Sequence, residues 1–174
     1  PIGSIYENSF DKGKRNAQLG GSTSKLKEER LVDFVAYCLN PNHYHFLVVQ
    51  TADRGIEKFM HRLSTGYTMY FNEKEKRSGA LFQGRFKAVH IDSNNYLLHA
   101  SVYVNLNDRV HQPRGSTSKL IESRSSWGEY TDKKKEEDGI CEKDIILGQF
   151  RNPSGYKKFA LSSLDDIVKK KRDS

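Results

Sequence analysis

The chain has little cysteine: Cys38 and Cys141 are the only two in 174 residues, and they lie far apart. That scarcity excludes a disulfide framework and a cysteine-rich zinc site, and it points to a reducing compartment. No apolar run approaches the roughly 20 residues that cross a bilayer, and no secretory leader pattern opens the sequence. A membrane partner is therefore not expected, and the cytoplasm is the expected location. Apolar residues are themselves scarce, at 36% with a mean hydropathy of −0.76. Much of the length is left to loops and solvated surface.

What is present is basic charge. Lys and Arg outnumber Asp and Glu by 29 to 22, and the isoelectric point is near 9.3. Such an excess suits a polyanion such as nucleic acid, and equally a basic protein with no such partner. The length fits one domain with a small appendage, large enough to bury a core without staples.

Along the chain, residues 1–30 are polar and glycine-rich, with a short apolar patch at Ile5, Tyr6 and Phe10. LVDFVAYCL (31–39) is β-branched and aromatic and reads as a buried strand. NPN (40–42) is turn chemistry, and HYHFLVVQ (43–50) is a second strand, which together predict an antiparallel hairpin. From Asp53, a plausible N-cap, Ile56, Phe59, Met60, Leu63, Tyr67, Tyr70 and Phe71 recur at helical spacing. NEKEKRSG (72–79) closes that helix. RFKAVHI (85–91) reads as a third strand, and Asp92 or Ser93 caps a helix from about 94 to 107. TDKKKEEDG (131–139) is a charge-dense loop. Residues 143–150 and 154–171 read as two short helices.

Residues i and i+2 of a strand project from one face, so His43 and His45 present two imidazoles together while Tyr44 points the other way. Such a pair can hold a divalent cation, but it supplies only two ligands. By itself it fits two ordinary histidines as well. On the helix after Ser93, Tyr96, His99, Tyr103 and Asn107 fall at i, i+3, i+7 and i+11 and are expected to form one polar stripe. Leu97, Ala100 and Val104 line a face that can pack on the sheet.

HYH followed by apolar strand, then YFN, LFQGRFKA and YVNLN, in this order and spacing, resembles the single-tyrosine HUH transposases. The likeness is greatest to the REP-associated tyrosine transposases, relatives of the IS200-like transposases. It covers roughly residues 31–130 and takes in SSWGEY (125–130). It implies an α+β fold: a ferredoxin-like antiparallel sheet with helices on one or both faces, the histidine pair on a central strand, and a small helical C-terminal extension. The implied catalytic domain is 1–130, and 131–174 is a charged loop and helical extension. The resemblance further implies that Tyr103 is the nucleophile, and that Asn107 completes a Mg²⁺ or Mn²⁺ site with His43 and His45. A phenol of ordinary pKa near 10 is a weak nucleophile at neutral pH, so the phosphate must be polarised by the cation. The implied activity is cleavage and strand transfer of single-stranded DNA at hairpin (REP-like palindromic) elements through a 5′-phosphotyrosine. The alternative is a DNA-binding relative that keeps the fold without the catalysis. Small insertion-sequence relatives form dimers sharing active sites, so a homodimer is one implied assembly, whereas longer REP-associated ones act alone.

A single strand also needs basic and stacking groups. Arg62, Lys74, Lys76, Arg77, Arg85 and Lys87 cluster near Tyr67, Tyr70, Phe82 and Phe86. Of these, Arg85 stands within the family-like LFQGRF. Three departures stand out: Tyr44 replaces an aliphatic residue, Asp108 follows the helix Asn where Pro is common, and the strand and helix that usually precede LVDFVAYCL are expected to be missing. GSTSKL occurs at 21–26 and 115–120. Codons that write each copy with its flanking residue can form an inverted repeat, so either may carry an embedded hairpin or be only a polar loop.

Overall fold

The computed structural model describes residues 2–8, 30–110, 124–132 and 139–172. The GSTSKL copies and residues 133–138 of the charged loop lie outside them. The element order is β1 (Ile2–Asn8), β2 (Val32–Leu39), β3 (His43–Gln50), α1 (Gly55–Lys74), β4 (Lys87–Ile91), α2 (Asn94–Asn105), α3 (Asn107–Val110), β5 (Arg124–Ser125), α4 (Trp127–Thr131), α5 (Asp144–Leu147) and α6 (Pro153–Arg172). The α+β class expected from the sequence is the one adopted.

One five-stranded sheet runs β4-β1-β3-β2-β5. The hairpin expected at residues 31–50 forms: β2 and β3 pair antiparallel, with a bulge between Phe34 and Ala36. β5 also pairs antiparallel, against Cys38 and Leu39. An opening strand, expected to be missing, is present as β1 in the sheet interior, parallel to both β3 and β4. Parallel strands need a crossover, and β3–α1–β4 supplies one that brings β4 back alongside β1. The accompanying helix of that expectation would fall in residues outside those described.

Alternation along β3 divides the core. Phe46 and Val48 meet Ile56 and Met60 of α1 on one face, with Tyr44, Phe59 and Phe86 packed around them. Leu47 and Val49 face α2 on the other, in a cluster that also holds Ala36, Cys38, Leu97, Ala100, Val104 and Tyr156. The C-terminal helix α6 is twenty residues long rather than short. It belongs to this second face, burying Tyr156, Ala160 and Ser163.

Three local readings need correction. Asp53 does not cap α1: the helix begins after Arg54, which sits in the left-handed region (φ 50°), and no side chain caps it. Gln50 Oε1 instead accepts from Ile56 N–H at 3.2 Å. Gly55 is required there because a Cβ would overlap the Leu31 carbonyl. The helical spacing of α1 is core-facing only in its first half, and Tyr67 and Tyr70 are 49% and 58% exposed. The helix from Ser93 is capped as expected, Ser93 Oγ accepting from Tyr96 N–H, but it ends at Asn105. Asn107 opens a separate turn beyond Leu106.

Candidate active site

The turn Asn40–Asn42 and the start of β3 carry the histidines. Asn40 N–H donates to the His43 carbonyl at 2.9 Å, closing the hairpin. The two imidazoles stand together on the α2 face, with ring centroids 5.2 Å apart and planes at 83°. His45 is buried (8% exposed) and Asn107 is fully buried. The Tyr103 ring meets His45 edge-on, with centroids 5.3 Å apart.

Asn107 approaches from the other side. Its Oδ1 lies 3.2 Å from His43 Nε2 and accepts from Asn40 Nδ2 at 2.9 Å. The expected stripe of four α2 residues is therefore divided: Tyr96, His99 and Tyr103 line an open hollow of about 230 Å³ bordered by Ile167 of α6, whereas Asn107 turns inward. The cause lies in Asn105. Its Nδ2 donates to Tyr156 Oη at 2.9 Å and its Oδ1 accepts from Ser126 Oγ at 2.5 Å, with both groups buried. These bonds hold the end of α2 from two other elements. After Leu106 (φ −114°, ψ 20°) the chain re-enters helix with Asn107 facing β3.

The donors fit a hard divalent cation. His43 Nδ1 lies 2.7 Å from Asn42 Oδ1, an atom that can only accept, so the ring proton belongs on Nδ1 and Nε2 keeps its lone pair. Asn107 aims its oxygen at that nitrogen even though its own buried Nδ2 has no hydrogen-bond partner among the described residues. A buried unmet donor costs about 1–3 kcal/mol, and such costs concentrate where function needs them. Cys38 is cross-strand from His45, and burial and then Asp108 push its thiol up to about 11. Among the described residues no group of three His, Cys, Asp or Glu could hold a metal. The converging donors are imidazoles and amides instead.

The basic residues divide by face. Arg85 and Lys87 line an open groove of about 1260 Å³ between α1 and residues 80–87, with Tyr44, Phe82 and Phe86 in its wall. Tyr44 points away from the histidines, so this groove lies across the sheet from them. Lys87 borders the groove, but its register with His45 through Ser4, two strand spacings or about 10 Å away, puts its side chain on the histidine face. Arg62, Lys74, Lys76 and Arg77 do not line the groove. Lys76 and Arg77 shape the turn after α1: Lys76 takes a positive φ of 48°, and an Arg77 guanidinium N–H donates to the Ala80 carbonyl at 3.1 Å. The sequence reading did not assign Asn40 or Asn105 to the site. Asn40 stands in a turn, where its residue type already has a local explanation.

The α+β sheet thus presents paired imidazoles to a tyrosine on one following helix and to an amide on the next. The family described as transposase IS200 like matches residues 4–107, well over half the sequence, so the chain belongs to the IS200-like transposases. No curated protein and no solved structure matches it. Membership places the chain among DNA-processing enzymes with transposase activity, a family that typically uses a divalent metal. No helix among the described residues is long and apolar enough to cross a membrane.

Proposed function

We propose that the protein is a metal-dependent nuclease and strand transferase that nicks single-stranded DNA at hairpin elements, as REP-associated transposases do, through a 5′-phosphotyrosine. The observation that carries this reading is the meeting of Tyr103 with His45 at 5.3 Å between ring centroids, beside the His43–Asn107 approach. His43, His45 and Asn107 would hold Mg²⁺ or Mn²⁺. When bound, that cation supplies Lewis-acid polarisation of a non-bridging phosphate oxygen.

The chain's own groups do the rest. Tyr103 Oη attacks the phosphorus, forming a Tyr–O–P bond while the P–O3′ bond breaks. The phenol proton is released and the departing 3′ oxygen takes one up, so the step is neutral in protons. The phosphodiester energy stays in the protein–DNA link, and a second 3′-hydroxyl can reverse the step without a nucleotide cofactor. His45 fixes the plane of the Tyr103 ring, and the buried Asn105 bonds hold the end of α2, so the phenol is presented with little freedom to lose.

The substrate is single-stranded because a helix-borne phenol needs an unstacked backbone. Arg85 and Lys87, with Tyr67 and Phe82 nearby, would bind the flanking DNA by charge and stacking. Tyr103 and both histidines come from one chain, so one copy suffices for cleavage. A homodimer would serve to exchange strands between two copies. The test is incubation of the full chain with a hairpin-bearing single strand and Mn²⁺, followed by denaturing electrophoresis. A covalent adduct is expected with the native protein and none with Tyr103→Phe; an adduct with both, or with neither, would reject the assignment.

A further inference from the structure

Asn40 stands between the two residues that approach each other from β3 and α3. Its Nδ2 is 2.9 Å from His43 Nε2 and 2.9 Å from Asn107 Oδ1, and those two atoms are 3.2 Å apart. With the His43 proton on Nδ1, both neighbours offer lone pairs. The two hydrogens of the Asn40 amide answer one each, so an electropositive group joins two acceptors that would otherwise repel.

The size of this triangle is informative. Neighbouring ligands of an octahedral ion with bonds of about 2.1 Å are separated by about 3.0 Å. Edges of 2.9, 2.9 and 3.2 Å match one face of such an octahedron. Two corners already carry donor atoms, and the third carries a nitrogen with none to spare. A half-turn of the Asn40 amide exchanges that nitrogen for Oδ1, which now lies 3.7 Å from Cys38 Sγ. A cysteine sulfur is only a weak hydrogen-bonding group, so that contact opposes the half-turn little. The backbone stays in place, because Asn40 N–H is bonded to the His43 carbonyl and Pro41 fixes the next φ.

We propose that Asn40 is an exchangeable metal ligand: its amide nitrogen holds His43 and Asn107 together before the cation arrives, and its oxygen takes a corner of the coordination shell afterwards. This rests on the reading of His43 and Asn107 as ligands. It adds a donor from the hairpin turn to the set implied by the family resemblance, and it accounts for a site ordered around so few charged groups.

The experiment measures Mn²⁺ binding to the full chain without DNA, from the loss of the free-ion electron paramagnetic resonance signal, with circular dichroism confirming the fold of each variant. Asn40→Leu is expected to weaken binding by about tenfold or more. Asn40→Asp, which supplies a carboxylate oxygen but loses the amide hydrogens, is expected to bind more tightly than the native chain. A residue that only propped the turn would not produce tightening, so Asn40→Asp decides the matter even if Asn40→Leu does not fold. Native-like affinity in Asn40→Asp, with binding abolished by His43→Ala, would overturn the role of Asn40 and leave the His43 site standing. Absence of Mn²⁺ binding by the native chain would overturn both.

Discussion

The Tyr103 ring stands edge-on to the His45 imidazole, with planes at 80° and centroids 5.3 Å apart. This contact joins a helix residue to a strand residue 58 positions earlier (103 − 45), and it needs only the ring, not the hydroxyl. Tyr103→Phe is therefore expected to keep the melting temperature and DNA affinity while losing the covalent adduct. His43→Ala should lose the adduct as well, and the double variant should be no worse than either single one, as for groups that act as a unit. Single-turnover nicking with a labelled strand measures all three; additive losses would show that the residues act separately.

The groove across the sheet makes a separate prediction. Arg85→Ala should lower affinity for single-stranded DNA and reduce the slope of log affinity against log salt by about 0.7, the loss of one phosphate contact. Tyr67→Ala should cost about 1–3 kcal/mol of stacking without altering the salt slope. Fluorescence anisotropy at several salt concentrations checks both, and unchanged binding in both variants would remove the groove from the DNA path.

Tyr156 touches none of the proposed ligands, yet its hydroxyl bonds Asn105 at 2.9 Å and Ser101 at 3.1 Å in the core. Tyr156→Phe leaves the Asn105 amide short of a buried partner, which should destabilise the fold by about 1–3 kcal/mol. Because Asn105 holds the break that turns Asn107 inward, nicking should slow as well. Urea denaturation and single-turnover rates on the same variant test this; lost stability with an unchanged rate would confine the network to folding.

The same tyrosine predicts an alkaline limit. Burial pushes the Tyr156 hydroxyl up to about 12, against hydrogen bonds from Ser101 and Asn105 that act the other way. Unfolded, it ionises near 10, so between pH 10 and 12 the unfolded chain releases a proton that the folded chain keeps. The associated stability is present below pH 10 and lost as the pH rises towards 12, at about 1.4 kcal/mol per unit. Urea midpoints at pH 8, 10 and 11 should fall in that order, and Tyr156→Phe should flatten the fall. A native-protein midpoint independent of pH would contradict the burial.

Much of the fold was legible because it rests on short-range rules. β-Branched and aromatic runs and NPN chemistry placed both strands of the hairpin within a residue of their observed bounds, and Ser93 was recognisable as a cap. The start of α1 was misread because Gln50, from the preceding strand, bonds the first turn in place of Asp53. The opening strand was missed because Ile2–Asn8 carries a weak apolar pattern of its own, and its place comes from pairing on both edges.

By itself, the sequence determined that His43 and His45 share a face, since the pleat leaves two residues at i and i+2 no other arrangement. Tertiary structure decided what meets them. Asn40 and Asn107 are 67 positions apart, and no period in the chain relates them. Their approach depends on Tyr156 and Ser126 seizing the Asn105 amide, so that α2 stops one residue short of Leu106. Local patterns record which way a side chain points from its own backbone, whereas contacts between distant segments are set by how buried polar groups find partners when the elements pack.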